Sequence, residues 1–273
     1  ASISGIRGTI GGQPGEGLTP VDLVKFCTAY AEYILSNNRG RCIVVGRDAR
    51  VSGEMVSRLV TGTLMACGLD VLDLGLTTTP TLETKVPRVQ AAGGIVLTAS
   101  HNPYQDNGIK IFGSDGFKLN DALEHEIEKI ILADDLPQPE GDLGKAIRID
   151  DAMGRYIEFT KNAAGANSLR GLKIVVDCAH GAAYYVGPLI FEELGAEVIQ
   201  MSVHPNGRNI NEGVGALHPE KAAAMVKEHG ADVGICFDGD ADRVIFCDET
   251  GQVIDGDRVL CLCAKALKQQ GKL

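Results

Sequence analysis

RCIVVGRDARVSGEMVSRLVTGTLMACGLDVLDLGL (41–76) decides the fold. CIVVG (42–46) is short and apolar throughout, which reads as a strand buried on both faces. Ser52 is placed to cap the helix that follows, and the Cys67-Gly68 pair ends it with a residue suited to the left-handed terminus. DVLDLGL (70–76) is then the next strand. Strand, helix and strand in this order make a crossover unit of parallel α/β architecture. The same grammar returns further along. KIVVD (173–177) reads as a strand, Ala182 to Leu194 as a helix and AEVIQM (196–201) as a strand. Set side by side, IVVGRD…CGLDVLDLG and IVVDCA…LGAEVIQM form a weak internal repeat, and the expectation is two related α/β domains.

Working outward, Thr19-Pro20 opens a helix with Thr as N-cap and Pro at the first helical position, and its expected apolar face includes Val21, Val24, Ala29, Tyr33 and Leu35. TLETKVPRV (81–89) reads as a short helix, GGIVLTAS (93–100) as a strand and the region near 120–132 as a helix. Residues 133–149 mix proline, glycine and acids and read as a linker. The expected division is a first domain over 1–135, a linker over 136–149, a second domain over 150–254 and a further segment over 255–273. In the second domain a helix at 219–229, the strand VGICF (233–237) and the hairpin VIFCDETGQVI (244–254) precede a last helix near Asp255-Gly256. That helix has no following strand to pack beside, so it reads as the start of a third unit.

The 273 residues are enough for one or two domains with a sizeable core. A net charge of −10 argues against a nucleic-acid partner, since the basic footprint is missing and the lysines and arginines are dispersed. No apolar run approaches the ~18 residues of a membrane span and no basic-then-apolar leader opens the chain, so no membrane partner is expected. The eight cysteines sit in apolar stretches without a CxxC pair, which reads as buried reduced thiols in a cytoplasmic protein.

Two segments carry chemistry. Asp238-Gly239-Asp240-Ala241-Asp242-Arg243 directly follows a buried strand. At ~4 Å and an effective dielectric near 20, each like-charge pair of converging carboxylates costs on the order of 4 kcal/mol, a cost that a divalent cation removes. Oxygen-only ligands favour Mg²⁺ or Ca²⁺ over zinc. An EF-hand is excluded because Arg243 stands where that loop needs glycine and the flanks read as strands. A solvated acidic turn is the bland alternative. The other segment is Thr98-Ala99-Ser100-His101-Asn102-Pro103, again at a strand end, where Ser100 is a nucleophile, a phosphate carrier or a turn residue. His101 beside it and Lys110 further on favour chemistry, although Lys110 and Arg47 could equally be surface charges. No GxSxG elbow, P-loop, GxGxxG or HExxH is present.

TASHNP (98–103) with DNGIK (106–110), DGDADR (238–243), GIRG (5–8) and GRDARVSG (46–53) together resemble the α-D-phosphohexomutase superfamily, in order along essentially the whole chain. DNGIKIF…DGFKL (106–119) and NINEGVGALHPE (209–220) look most like its phosphoglucosamine mutases, with the phosphomannomutase/phosphoglucomutase branch close by. The resemblance implies an α/β fold of two related three-layer αβα domains with mixed, largely parallel sheets, plus the start of a third. It implies a phosphosugar mutase interconverting hexose 6-phosphate and 1-phosphate through a phosphoserine and a hexose 1,6-bisphosphate. Ser100 would carry the phosphoryl group. Asp238, Asp240 and Asp242 with a phosphoryl oxygen on Ser100 would hold Mg²⁺. Arg7, Lys110 and Arg243 would supply cations at the reacting phosphate, with Lys110 alternatively in proton transfer, and His101 would orient the serine loop. The family's sugar-recognition loop (GEMSG or GEXSG) and R-x-S-G-T phosphate clamp do not occur in this sequence. The expectation is therefore an N-terminal portion of a longer mutase, inactive alone, whose partners include the C-terminal domains of the same chain. A non-catalytic mutase-like binding protein and a calcium sensor are the competing classes.

Overall fold

In the computed structural model, which describes residues 6–37, 39–133, 141–165 and 168–273, the first half of the chain builds one sheet and its helices. The order is β1 (Ile6–Thr9), α1 (Pro20–Ser36), β2 (Cys42–Arg47), α2 (Gly53–Ala66), β3 (Asp70–Leu76), α3 (Thr79–Arg88), β4 (Gly93–Leu97), β5 (Asp106–Gly113), α4 (Asp121–Leu132) and β6 (Ala146–Arg148). The six strands lie in the order β1-β5-β4-β2-β3-β6. Pairs β2–β3, β2–β4 and β3–β6 are parallel, while β4–β5 and β1–β5 are antiparallel. Alternation along the strands sends Ile43, Val45 and Ile95 to the face covered by α1, α2 and α4. Val44 and Val96 face the opposite way, onto Leu82 and Val86 of α3.

The second half repeats this plan. After α5 (Ala152–Ala164) come β7 (Lys173–Asp177), α6 (Val186–Glu193), β8 (Glu197–Met201), α7 (Glu220–His229), β9 (Val233–Phe237), β10 (Val244–Asp248), β11 (Val253–Ile254) and α8 (Gly256–Gln269). The sheet order is β11-β10-β9-β7-β8, parallel at β7–β8 and β7–β9 and antiparallel toward the β11 edge. Ile174, Val176 and Ile235 pack on the α6 side, Val175 and Cys236 on the α7 side. Helix α5 joins the two halves: Ala152 at its start is buried in the first core, and Ile157 packs against Val186 and Ile190 of α6.

Several sequence expectations need correction. Val21 and Val24 are 51% and 40% exposed. The buried residues of α1 are Leu23, Phe26, Cys27, Ala29, Tyr30, Ala31, Tyr33 and Ile34, so Ala29 and Tyr33 are buried as expected and the two valines fall off that face. Ser52 makes no side-chain cap; its hydroxyl accepts from Asn107 Nδ2 at 2.9 Å. The strand expected over 93–100 stops at Leu97, because Thr98 to Ser100 turn away to form the site described below. The helix expected from Ala182 to Leu194 is broken into a 3-10 turn (Ala182–Tyr184) and α6. Pro188 lacks the N–H for an internal helical bond and so must sit in a first turn.

The expected linker is only partly one. Its residues 134–140 lie outside the described residues, as does Gly5 of the GIRG motif, but Ala146–Arg148 adds β6 to the first sheet. Six of the eight cysteines are buried or half-buried, whereas Cys261 and Cys263 are exposed on α8, a helix with no buried residue. Among the described residues no helix is long and apolar enough to cross a membrane.

Helix α1 starts with a reciprocal cap: Asp22 N–H donates to Thr19 Oγ1 at 3.3 Å and Thr19 N–H to Asp22 Oδ2 at 3.0 Å. Thr19→Ala removes it, and urea unfolding is expected to show a loss of about 1 kcal/mol of stability.

Candidate active site

The turns that leave β4 and β9 come from different sheets and meet. Both follow the carboxyl ends of strands that are parallel to their inner neighbours, the usual position for ligands in α/β folds. From the first domain, Ser100 is buried and holds a left-handed backbone at φ 54°. Its hydroxyl donates to Asp238 Oδ2 of the second domain at 2.6 Å. Close approach of the two turns needs a glycine at one point: a Cβ on Gly239 would stand 2.7 Å from the Ser100 carbonyl oxygen.

Asp238, Asp240 and Asp242 bring one oxygen each to within 4.8 Å of one another. Alternate spacing achieves this because the chain reverses at Ala241, which takes φ 60°. The carboxylates are compensated from several sides. Lys110, lifted from β5 and 6% exposed, donates to Asp240 Oδ2 at 2.5 Å and to Asp242 Oδ2 at 2.7 Å. Thr79, the first residue of α3, donates its hydroxyl to Asp240 Oδ2 at 2.6 Å and its N–H to the Asp240 carbonyl at 2.9 Å. Arg243 donates its N–H to Asp238 Oδ1 at 3.2 Å, and its Nε lies 3.9 Å from Asp238 and 3.8 Å from Asp242.

Compensation is uneven. Burial, then repulsion from Asp240 and Asp242, pushes the Asp238 carboxyl up to about 7. Burial also acts to raise Asp240, but the charge and hydrogen bonds of Lys110 and the Thr79 hydroxyl outweigh it and hold that group below its ordinary value. Burial works against the Lys110 charge, yet its two aspartate partners keep the ammonium more firmly protonated than usual. Burial, with Arg243 and Arg7 nearby, lowers the His101 imidazole, so that it is neutral at neutral pH.

The residues fit a hard divalent cation. Asp240 Oδ1 is buried without a hydrogen-bond partner, beside the carboxylates of Asp238 and Asp242. Arg7 lies on β1 opposite Gly108, and its Nε is likewise buried without a partner, as is His101 Nδ1. Unpartnered nitrogen beside a carboxylate cluster is what an anionic oxygen would complete.

The structure brings Ser100, His101 and Lys110 from one turn and strand together with the aspartates and Arg243 from the other domain. Arg7, on the strand paired with β5, is close enough to act on the His101 imidazole, while Arg47 donates to the Asp48 carbonyl. Lys110 is not a surface charge. Thr79, Asp48, Arg50 and Asn211 had no assigned role. Asp48 and Arg50 lie within the quoted GRDARVSG, where two ionisable residues spaced D-x-R right after a buried strand were the available signal. Asn211 likewise lies within the quoted NINEGVGALHPE, whereas Thr79 gave no signal, since its partner Asp240 is far away in sequence.

Comparison with known proteins gives the family of the chain. Family models described as phosphoglucomutase/phosphomannomutase, alpha/beta/alpha domain I and domain II match residues 2–138 and 154–251. A phosphoglucosamine mutase from Syntrophotalea carbinolica is 51% identical over 241 residues, covering 87% of this chain and 53% of the relative. Another from Desulfotalea psychrophila is 48% identical over 273 residues, covering 98% of this chain and 60% of the relative. The chain therefore spans a little over half the length of these curated relatives. A crystal structure of a phosphoglucomutase/phosphomannomutase family protein from Burkholderia thailandensis superposes with a TM-score of 0.82 at 29% identity, over 98% of this chain and 58% of that one.

Because a cation must displace the proton on Asp238, divalent-cation affinity is expected to rise as pH increases toward about 7 and then level off. The sign for stability is opposite. A carboxyl raised on folding favours the ion-free fold at low pH, and that contribution is lost as pH climbs from the unfolded value through about 7. Calorimetric Mg²⁺ titrations between about pH 6 and pH 8 check the first expectation, which equal affinities throughout would contradict.

Proposed function

Since the chain belongs to the phosphoglucomutase/phosphomannomutase family, we propose that it provides the phosphoryl-carrying and cation-binding half of a phosphosugar mutase. The reaction is interconversion of hexose 6-phosphate and hexose 1-phosphate, with glucosamine phosphate as the favoured substrate and a hexose 1,6-bisphosphate as the intermediate. The observation that carries the reading is the Ser100 hydroxyl of one domain held 2.6 Å from Asp238 inside a three-carboxylate cluster of the other. A turn serine has no need of that placement. The substrate choice is supported by the roughly half-identical relatives named phosphoglucosamine mutase.

Asp238, Asp240 and Asp242 would hold Mg²⁺, with a phosphoryl oxygen on Ser100 as a further ligand; bound there, the ion supplies positive charge against the phosphoryl oxygens. The side chains do the rest. In the forward transfer the Ser100 Oγ–P bond breaks as a sugar hydroxyl oxygen bonds to phosphorus. The proton that the sugar hydroxyl gives up balances the one the freed Ser100 Oγ takes on to become the hydroxyl that donates to Asp238. In the return, the other phosphoryl group passes from the bisphosphate to Ser100 Oγ. In a loose transition state the negative charge is spread over the three equatorial oxygens, with the attacking and leaving oxygens in line, so fixed positive charge and positioning are what a protein can contribute. Lys110, Arg7 and Arg243 supply that charge. In the state described Lys110 is firmly protonated, which favours its part as a cation over that of a proton acceptor. Neutral His101 orients the loop that carries Ser100.

Peptide mass spectrometry of the full-length protein is expected to find phosphate on Ser100. Ser100→Ala should lower hexose-phosphate isomerisation by at least about 100-fold, the scale expected when the reacting group is removed or misplaced. An unmodified Ser100 together with full activity of the variant would sink the proposal. Assays with glucosamine, glucose and mannose phosphates side by side rank the substrates.

A further inference from the structure

Arg50 is among the largest fully buried side chains of the described residues, and its ion pair is with Asp48. Its guanidinium uses all five of its N–H groups. Nε donates to Asp48 Oδ2 at 2.8 Å, Nη2 to the Ser100 carbonyl at 2.8 Å and to that of Asn102 at 2.9 Å, and Nη1 to the carbonyls of Pro103 and Asp106. The serine loop is thus wrapped around one guanidinium with four carbonyls pointing inward. Asp48 completes the grip, because its Oδ2 also accepts from the Thr98 hydroxyl at 2.6 Å, and Thr98 Oγ1 accepts from the Ser100 N–H at 2.8 Å.

From the other domain, Asn211 reaches the same oxygens. It is buried and left-handed at φ 60°, and its Nδ2 donates to the Ser100 carbonyl at 2.9 Å and to the Asn102 carbonyl at 3.1 Å. Each of these two carbonyls has two lone pairs. Each is therefore filled by one donor from the first domain and one from the second.

We propose that Arg50 and Asn211 are positioning residues for the phosphoryl transfer: by sharing the Ser100 and Asn102 carbonyls, they hold Ser100 in its left-handed conformation with Oγ aimed at Asp238. The inference rests on the phosphoserine reading given above and goes beyond it in making the transfer geometry depend on a joint between domains. A left-handed serine is unfavourable by itself and persists only where its surroundings fix it. Bonds to the carbonyl side leave the hydroxyl free for the phosphoryl group. Lysine cannot replace Arg50, since an ammonium has three donors and no planar fork. Aspartate is nearly the shape of Asn211 but presents acceptors to both carbonyls.

The test uses the full-length protein with Asn211→Gly, Asn211→Asp and Arg50→Lys. Asn211→Gly is the main variant, because glycine keeps the left-handed backbone and removes only the amide. The expected result is a fall in kcat of about 100-fold with KM for the hexose phosphate little changed, as for a reacting group displaced by an ångström. Amide hydrogen exchange over residues 99–106 should quicken in the same variant while the rest of the first domain keeps its protection. Arg50→Lys should act in the same direction if it folds, and Asn211→Asp should be at least as damaging as Asn211→Gly. A folded Asn211→Gly with kcat within about twofold of wild type overturns the proposal, whatever its exchange does. So does a loss of kcat with unchanged loop exchange. If wild type itself shows no turnover and no phosphate on Ser100, the functional reading falls, and the exchange measurement alone then decides whether the joint holds the loop.

Discussion

Carboxylates gathered out of water repel one another, and the contact between the two domains is built around that repulsion. Asp238 and Asp240 are buried and Asp242 lies beside them, so the protein must bring opposite charge and N–H donors to the same place. It draws them from separate parts of the chain. Lys110 comes from β5, Thr79 from the start of α3 and the Arg243 N–H from the turn itself. Because the first two belong to the other domain, compensation of the cluster and docking of the domains are one event.

What protein groups leave uncompensated is as informative as what they satisfy. Asp238 keeps a raised carboxyl and Asp240 one bare oxygen, while Arg7 and His101 each leave a buried nitrogen without a partner. A cation on the first pair and a phosphoryl oxygen on the second would satisfy the groups on both sides. With the proposed function, these groups would receive an anion carried on Ser100, and the same logic predicts a pH-dependent affinity for a cation.

Placement of the serine is a backbone matter. Ser100, Ala241 and Asn211 all take left-handed conformations, and Gly239 is the point where a side chain would keep the turns apart. Strained backbone of this kind needs surroundings that over-determine it. Asp48 and Arg50 provide them from inside the first domain, and Asn211 from the second. The loop therefore has little freedom to relax once the domains have met.

The element plan was legible because it is local. CIVVG, DVLDLGL, KIVVD and VGICF are strands by their own composition, and helix starts such as Thr19-Pro20 and Asp255-Gly256 are marked by caps. The chemistry of the two turns was legible as well, since three aspartates at alternate positions and a serine with histidine and lysine nearby are unusual in short stretches. Where reading failed, the deciding partner was elsewhere. The face of α1 depends on what packs against it, β6 exists because β3 offers an edge, and Ser52 gives up its cap to receive Asn107. The sequence by itself determined two α/β units and the residue types of the site. Only the tertiary structure decided that Lys110 is buried against Asp240, that Thr79 and Asn211 belong to the site, and that Arg50 spends four of its five donors on one loop. Hydrogen bonds and ion pairs act over about 3 Å, and nothing local in a sequence reports which distant groups the fold will bring within that range.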